Sequence, residues 1–312
     1  MRRKTEEGTG DGAGDGMMSP SFTVTDPCSH GLSTHILVVS CGRSRTSNWV
    51  SELARLLWTE HRPPRPRPSW SREHCPSFMS ASTVVVSFHD ADILPADVEL
   101  LAPGKWINAS NLHFHSKRLM HKLNAPYSML VMDPIQVSFM KLMDAEDREE
   151  FKHGVGVEAR EWILAPVNDA SDRQSSGCHW SLILYHTPSN RSLHLDSSGR
   201  NCNRTAAEDV ARALSLLFGR ASSGAASCAC PATTPRQADG CSCGVYVMLF
   251  TEFVVALLLQ AGPGGAEAAV FDDTASWVAS MADVVNPQRA DHCRLAQLAD
   301  IELLAAERRL LS

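Results

Sequence analysis

Residues 237–247 read QADGCSCGVYV, and this stretch decides how the rest of the chain is interpreted. A turn-rich segment gives way here to a mostly apolar run that continues to about Gln260, which predicts a buried helix beginning near Cys243. The N-terminus of a helix carries partial positive charge and free N–H groups, which lower the pKa of a thiol and stabilise negative charge. Cys243 therefore occupies a position that favours a reactive thiolate, and Gln237 places an amide six residues upstream.

A predicted hairpin upstream carries two further polar side chains. Strands are predicted at 180–186 and 191–196, joined by the turn sequence TPSN. If residue 186 pairs with residue 191, the numbers of all paired residues add up to 377, and Ser181 faces Asp196. His179 then points to the same face as Asp196. The two are diagonal neighbours across the strands, about 7–8 Å apart between their backbone positions. A register slip of one residue would turn one side chain to the other face.

Together these residues predict a cysteine hydrolase. Cys243 is the candidate nucleophile, His179 the proton carrier, and Asp196 the group that orients His179. Gln237 is the candidate oxyanion donor, together with the backbone N–H of Cys243. Gly244 has no side chain, so we expect a substrate to approach the backbone closely there. Each residue taken alone has an ordinary structural explanation, but their order, the hairpin and the helix start together favour catalysis.

Composition sets the outer limits. The chain has 312 residues, of which 44% are hydrophobic and 21% charged, enough for a buried core. The formal net charge of -6 argues against general binding of nucleic acid. The first residues lack the apolar segment of a signal peptide, so we expect the ten cysteines to be reduced thiols in the cytoplasm and/or nucleus. We expect that no apolar stretch approaches the about 20 residues that a membrane helix needs, and we expect no membrane association.

The chain divides near residue 80. Residues 1–80 are predicted to be a poorly ordered extension, with a basic, proline-rich spacer at 62–68. Residues 81–312 are predicted to form a globular catalytic domain. Helices are predicted near 109–123, 134–143, 204–218, 243–260, 272–284 and 289–311, and strands near 84–88 and 161–167 in addition to the hairpin.

Several motifs in this order resemble the ubiquitin-like-protein-specific cysteine proteases, which process SUMO and the neddylation modifier. The motifs are His179-Trp180, Asp196, and Gln237 followed six residues later by Cys243-Gly244. The resemblance covers roughly residues 84–311 and is closest to the deneddylase branch, the sentrin-specific protease 8-like proteins. Further matches to that branch are SFHD at 87–90, DVELL at 97–101, WIN at 106–108, DPIQ at 133–136 and DSSGR at 196–200.

The resemblance implies an α+β, papain-like fold, in which a mostly antiparallel sheet is flanked by helices. It also implies a narrow channel for a Gly-Gly tail, roofed by Trp106 and Trp180, with Asn108 and Gly244 beside it as substrate-binding residues. No metal and no cofactor are expected. The expected partners are a ubiquitin-like modifier, either the neddylation modifier or SUMO, and its conjugates such as neddylated cullins. Relatives have an acidic residue where this chain has Ala109, and Asp where it has Ser242.

Two other interpretations remain open. Four cysteines, at positions 228, 230, 241 and 243, are suited to zinc in an interaction module, although their C-x-C spacing is not the usual one. Alternatively, the chain binds a modifier without cleaving it. Cys178 and Cys241 lie next to catalytic positions in sequence and are candidates for an oxidative disulfide with Cys243.

Overall fold

The computed structural model describes residues 83–170, 177–200, 202–220 and 228–311. The predicted extension over residues 1–80 lies outside these ranges, as do most of residues 219–227. The strands are β1 (Val86–Phe88), β2 (Ala91–Ile93), β3 (Met129–Val131), β4 (Trp162–Asn168), β5 (Trp180–His186), β6 (Arg191–Leu195) and β7 (Cys228–Ala229). The helices are α1 (Pro95–Glu99), α2 (Ala109–Lys122), α3 (Pro134–Met140), α4 (Asp147–Val155), α5 (Arg204–Leu217), α6 (Cys243–Ala261), α7 (Ala266–Phe271), α8 (Thr274–Met281) and α9 (Pro287–Leu311).

A five-stranded sheet in the order β3-β4-β5-β6-β7 forms the centre. The long inner strands pair antiparallel, whereas the short edge strands β3 and β7 pair parallel with their neighbours. The β5–β6 hairpin has the predicted register: His186 pairs with Arg191 and Leu182 pairs with Leu195, both adding up to 377. This is an α+β fold with a mixed sheet flanked by helices, as expected.

Both faces of the sheet are covered, because alternate residues of each inner strand enter two different cores. Leu182 and Leu184 of β5 pack with α6, and Ile183 and Tyr185 pack with α5 on the other face. Side chains alternate across a strand, so a strand buried on both faces reads as a continuous apolar run. The sequence of β5 is of this kind, and its central residues are fully buried.

Helix α6 forms the centre of the larger core. Its 19 residues have a mean hydropathy of 1.9, so by length and composition alone it is apolar enough to cross a membrane. The expectation that no stretch reaches that length was therefore wrong. In the structure, however, 83% of this apolar segment is buried inside the protein, which is typical of a core helix.

Several short elements differ from the sequence-based assignment. Strand β7 lies in a segment assigned as loop, and β3 and α4 were not predicted. The predicted helix near 272–284 is present as the shorter α8, and α7, just before it, was not predicted. Elements of two to nine residues carry little periodicity, so tertiary pairing rather than local pattern decides them.

Candidate active site

Cys243 is the first residue of α6, as its sequence context predicts. Its side chain is nearly buried, with 3% exposure. The turn before it is held by Asp239, whose carboxylate accepts hydrogen bonds from the backbone N–H groups of Cys241 (2.9 Å) and Ser242 (2.8 Å). The hydroxyl of Ser242 also donates to Asp239, at 2.8 Å. This small network fixes the backbone that presents the thiol at the helix start.

His179 and Asp196 meet across the hairpin. His179 immediately precedes β5 and Asp196 immediately follows β6, so the confirmed register brings them together. The imidazole Nε2 lies 2.7 Å from Oδ1 of Asp196, and both side chains are buried. The same Oδ1 accepts a hydrogen bond from the backbone N–H of Ser198 at 2.8 Å, which fixes the carboxylate.

Cys243 completes the group, because its side chain hydrogen-bonds to the imidazole of His179. Since Nε2 of His179 faces Asp196, the ring nitrogen that remains for the sulfur is Nδ1. One ring thus bridges a carboxylate and a thiol. Such a bridge can hold a thiolate beside an imidazolium, which is the arrangement required for nucleophilic attack by sulfur.

The electrostatics of His179 and Asp196 support each other. Burial alone lowers the pKa of His179, but hydrogen bonds and charges from Asp196 and Cys243 outweigh it and raise the pKa to about 10. Burial raises the pKa of Asp196, but the hydrogen bonds from His179 and Ser198 outweigh this effect and lower the pKa to about 2. Across the physiological range the carboxylate is therefore ionised and the imidazole is protonated.

Gln237 lies beside this group and is only partly buried. Its side-chain oxygen accepts a hydrogen bond from the hydroxyl of Ser197 at 2.7 Å, and its Nε2 donates to the backbone oxygen of Asp239 at 2.7 Å. Ser197 thereby sets which end of the amide donates. An amide nitrogen carries two hydrogens, so one remains for an oxygen ligand.

The tryptophans differ in their surroundings. Trp180 is partly buried, and its indole N–H donates to the backbone oxygen of Ile107 at 3.0 Å, which ties the hairpin to the segment before α2. Trp106, one residue before Ile107, is 50% exposed. An exposed large aromatic side chain at this place is a surface on which a ligand can pack.

Two of the predicted substrate contacts have structural tasks. A Cβ atom on Gly244 would lie 2.8 Å from Cβ of Ile107, so this side chain packs directly against the glycine. The approach of a substrate to Gly244 stays a prediction. Asn108 is the N-cap of α2: its oxygen accepts from the N–H of Asn111, and its amide donates to Asp97 at 2.6 Å. Both positions shape the wall of the site through packing and capping, which explains why those residue types are needed there.

Three supporting residues were missed in the sequence. The amide of Asn203 donates to the backbone oxygens of Val167 and His179 and to Ser181 Oγ, which holds the start of β5. Asp169 accepts from the backbone N–H of His179 at 2.9 Å. The guanidinium of Arg294 reaches from α9 to the backbone oxygens of residues 100, 102 and 105, just before Trp106. Their partners are remote in sequence, so no local pattern marks them.

The predicted four-cysteine zinc site does not assemble. Within the described ranges, the groups of three or more close metal-binding side chains do not include Cys228, Cys230, Cys241 or Cys243. The sulfur of Cys230 lies instead 3.4 Å from Nδ1 of His194, a residue of β6. Cys243 hydrogen-bonds to His179, so its sulfur belongs to the catalytic-type group described above.

Known proteins share sequence similarity with this chain. Residues 101–260, or 160 of the 312 residues, match the Ulp1 protease family, C-terminal catalytic domain. NEDD8-specific protease 1 of Arabidopsis thaliana is 24% identical over 225 residues, covering 72% of this chain and 94% of that protein. Sentrin-specific protease 8 of Homo sapiens is 28% identical over 174 residues, covering 54% of this chain and 80% of that protein.

A solved structure described as a de-sumoylating protease has the same fold. It superposes with a TM-score of 0.51 at 14% identity, covering 72% of this chain and 91% of the other. At this identity the likeness concerns the fold alone. The sequence match spans more than half of the chain and contains the hairpin, the turn before the thiol and all of α6 except its last residue. The chain therefore belongs to the Ulp1 protease family of cysteine peptidases.

Proposed function

We propose that this chain cleaves the bond after the C-terminal Gly-Gly of a ubiquitin-like modifier, and that the modifier is the one used in neddylation. The observation that carries the proposal is the bridge from Asp196 through His179 to Cys243 at a helix N-terminus. The membership of the Ulp1 protease family supplies the substrate class. Precursors and conjugates, including neddylated cullins, are proposed substrates in the cytoplasm and/or nucleus.

The chemistry follows from the geometry. The Cys243 sulfur attacks the carbonyl carbon of the terminal glycine, and the electron pair of the C=O bond moves to the oxygen. Gln237 Nε2 and the backbone N–H of Cys243 donate hydrogen bonds to that oxyanion. The imidazolium of His179 then gives its proton to the departing amine, and the C–N bond breaks. A thioester between Cys243 and the modifier remains.

Hydrolysis of the thioester restores the enzyme. The neutral imidazole of His179 now takes a proton from a water molecule, whose oxygen attacks the thioester carbonyl. The carbon–sulfur bond breaks, and the modifier leaves with a free carboxylate. Asp196 remains ionised throughout, because its pKa of about 2 is far below that of its partner. All these steps use the chain's own residues.

Selection of a Gly-Gly tail is attributed to the aromatic walls. Trp180 is anchored to Ile107, and Trp106 stands exposed next to the same residue. A tail with side chains would clash in a narrow aromatic channel, whereas glycine has none. Gly244 and Asn108 contribute indirectly, since both hold the segment 106–108 in place.

The preference for the neddylation modifier is supported by the relative named NEDD8-specific protease 1, which matches over most of its length. SUMO is the second candidate, for a specific reason. Ala109, at the first position of α2, replaces the acidic residue of the deneddylase pattern, which removes a charge available to a basic residue of the modifier's tail. Both modifiers are therefore included in one test.

The test is covalent trapping. Probes made from the neddylation modifier, SUMO and ubiquitin, each ending in an electrophile, are incubated in parallel with the full-length protein. We expect an adduct with the neddylation probe that disappears in Cys243→Ala and persists in Cys178→Ser and Cys241→Ser. An adduct with the SUMO probe alone would transfer the proposal to SUMO. Failure of all three probes on folded protein with reduced thiols would indicate a protein that binds modifiers without cleaving them.

A further inference from the structure

Three metal-binding side chains from three different helices converge away from the active site. His115 of α2, Glu252 of α6 and Cys293 of α9 each offer a ligand atom, and these atoms all lie within 4.8 Å of one another. We call them the three-helix cluster. Glu252 lies nine residues after Cys243 on the same helix, which corresponds to about 13 Å along the axis. The catalytic-type group uses none of the three.

The hydrogen bonding of the His115 ring is that of a metal ligand. Its Nε2 is shielded from solvent and has no hydrogen-bond partner within the described ranges. The ring hydrogen-bonds to the backbone of Met248, so this bond falls to Nδ1. A histidine that donates Nδ1–H to a carbonyl has the lone pair of Nε2 available for a metal. Histidines that bind metals usually donate their other ring N–H in this way.

The neighbour of that nitrogen is also an electron-pair donor. Nε2 of His115 lies 3.4 Å from a carboxylate oxygen of Glu252. With the ring proton on Nδ1, the lone pair of Nε2 and a carboxylate oxygen face each other, and a metal cation can bridge such a pair of donors.

The spacing and donor types fit zinc. Zinc bonds of about 2.0–2.1 Å in tetrahedral geometry place nitrogen and oxygen ligands about 3.3 Å apart. The separation of 3.4 Å between His115 and Glu252 agrees with this value. Imidazole, carboxylate and thiolate are the three ligand types that zinc uses in proteins. The sulfur of Met248 lies 3.9 Å from Sγ of Cys293 and borders the cluster.

We propose that His115, Glu252 and Cys293 bind a zinc ion that joins α2, α6 and α9. The thiol of Cys293 releases its proton to solvent as the sulfur–zinc bond forms, and no electron is transferred. Zn²⁺ with one thiolate, one carboxylate and a neutral imidazole has no net charge, which suits a buried position. The proposal does not depend on which modifier is cleaved.

Arg289 of α9 provides an internal check. Its charge acts on both Glu252 and Cys293. The positive guanidinium disfavours a second cation beside the same two residues. Arg289→Gln removes this charge and is therefore expected to lower the Kd for zinc. If the three side chains only pack against one another and bind no metal, the substitution brings no gain in zinc affinity.

The experiment measures metal content and spectrum on the full-length protein. Chelator-treated protein is incubated with zinc, passed through a desalting column and analysed for metal. In parallel, cobalt(II) is added, and sulfur-to-cobalt charge transfer is read by absorption. We expect one equivalent of zinc and a charge-transfer band that both disappear in Cys293→Ser. His115→Gln is expected to lose zinc as well.

Two variants control for other sites. Cys243→Ala removes the other buried thiol of the described chain, and His153→Ala removes the exposed group formed with Glu149 and Glu158. Both are expected to keep zinc and the cobalt band. Circular dichroism of His115→Gln establishes that this variant is folded. Absence of stoichiometric zinc in the wild-type protein, or its retention in folded His115→Gln and Cys293→Ser, would overturn the proposal.

Discussion

His179 and Asp196 are separated by 17 positions in sequence, yet Nε2 of the one lies 2.7 Å from Oδ1 of the other. The antiparallel register of β5 and β6 creates this contact, because it places the residue before one strand next to the residue after the other. The hydrogen bond links the hairpin to the chemistry of Cys243 on α6. A change in this register would therefore abolish the site even if every residue were retained.

Asp196→Asn is expected to lower kcat/KM by about 10²–10⁴-fold, because the imidazole loses its orienting charge. The pKa of His179 is raised to about 10, so the imidazolium is present below that pH and is lost as the pH rises through it. Without Asp196, burial lowers this pKa, and the alkaline limit of activity moves to lower pH. A pH profile of probe hydrolysis checks the shift. An unchanged alkaline limit in Asp196→Asn would contradict this assignment.

The same pKa shift predicts a dependence of stability on pH. Because the folded-state pKa of His179 is above its ordinary value of 6.5, its contribution to stability is fully present below pH 6.5 and is lost as the pH rises through about 10. We expect Asp196→Asn to narrow the difference in Tm between neutral and strongly alkaline pH. Thermal unfolding of the two proteins across this range measures it.

Gln237→Ala is expected to lower kcat by about 10²–10³-fold with little change in KM, since the donated hydrogen bond forms in the transition state. Ser197→Ala is the matched control, because it only frees the amide that Ser197 orients. Its loss of kcat should be smaller. Steady-state kinetics with a modifier-derived fluorogenic substrate separates the two variants. A larger loss in Ser197→Ala than in Gln237→Ala would argue against the oxyanion role.

Gly244→Ala is expected to destabilise the fold by about 1–3 kcal/mol, because the added methyl would meet Ile107 at 2.8 Å. The atom in the way is Cβ of Ile107, so Ile107→Val should not rescue the variant. Gly240→Ala is the control, since a methyl group there meets nothing within 4 Å. Urea unfolding gives all three values. Equal stabilities of Gly244→Ala and Gly240→Ala would contradict the packing argument.

Arg294→Lys is expected to raise KM and to cost about 1–3 kcal/mol of stability, because an ammonium group cannot reach the three backbone oxygens that the guanidinium contacts. These oxygens belong to the segment just before Trp106, so the wall of the site should loosen. Arg308→Lys, an exposed position on the same helix, should change neither value. Kinetics and unfolding of both variants decide the point.

Cys230 is expected to be a second reactive thiol. Hydrogen bonds with Cys228 and with His194 lower the pKa of Cys230, which favours its thiolate form. In a Cys243→Ala background, iodoacetamide should therefore modify Cys230 faster than Cys241, whose pKa is raised by burial and by Asp239. His194→Gln should slow the reaction. Peptide mass spectrometry over time measures the rates, and equal labelling of the two thiols would contradict the expectation.

Parts of the fold were predictable because their signals are local. The register of the hairpin followed from a four-residue turn between two apolar runs, and the start of α6 followed from a turn-rich segment before an apolar stretch. Strand β7 was not predictable, because its two residues become a strand only by pairing with β6. The close packing of Ile107 against Gly244 was not predictable either, because Ile107 comes from another part of the chain.

Local sequence was enough to predict the long helices, the inner strands and the residue types of the candidate active site, since turns, apolar runs and a cysteine at a helix start depend on near neighbours. Tertiary structure decided the hydrogen bonds that hold those residues in place. Asn203, Asp169 and Arg294 each contact backbone groups far away in sequence. The convergence of His115, Glu252 and Cys293 is of the same kind, because three helices must pack before their side chains can meet.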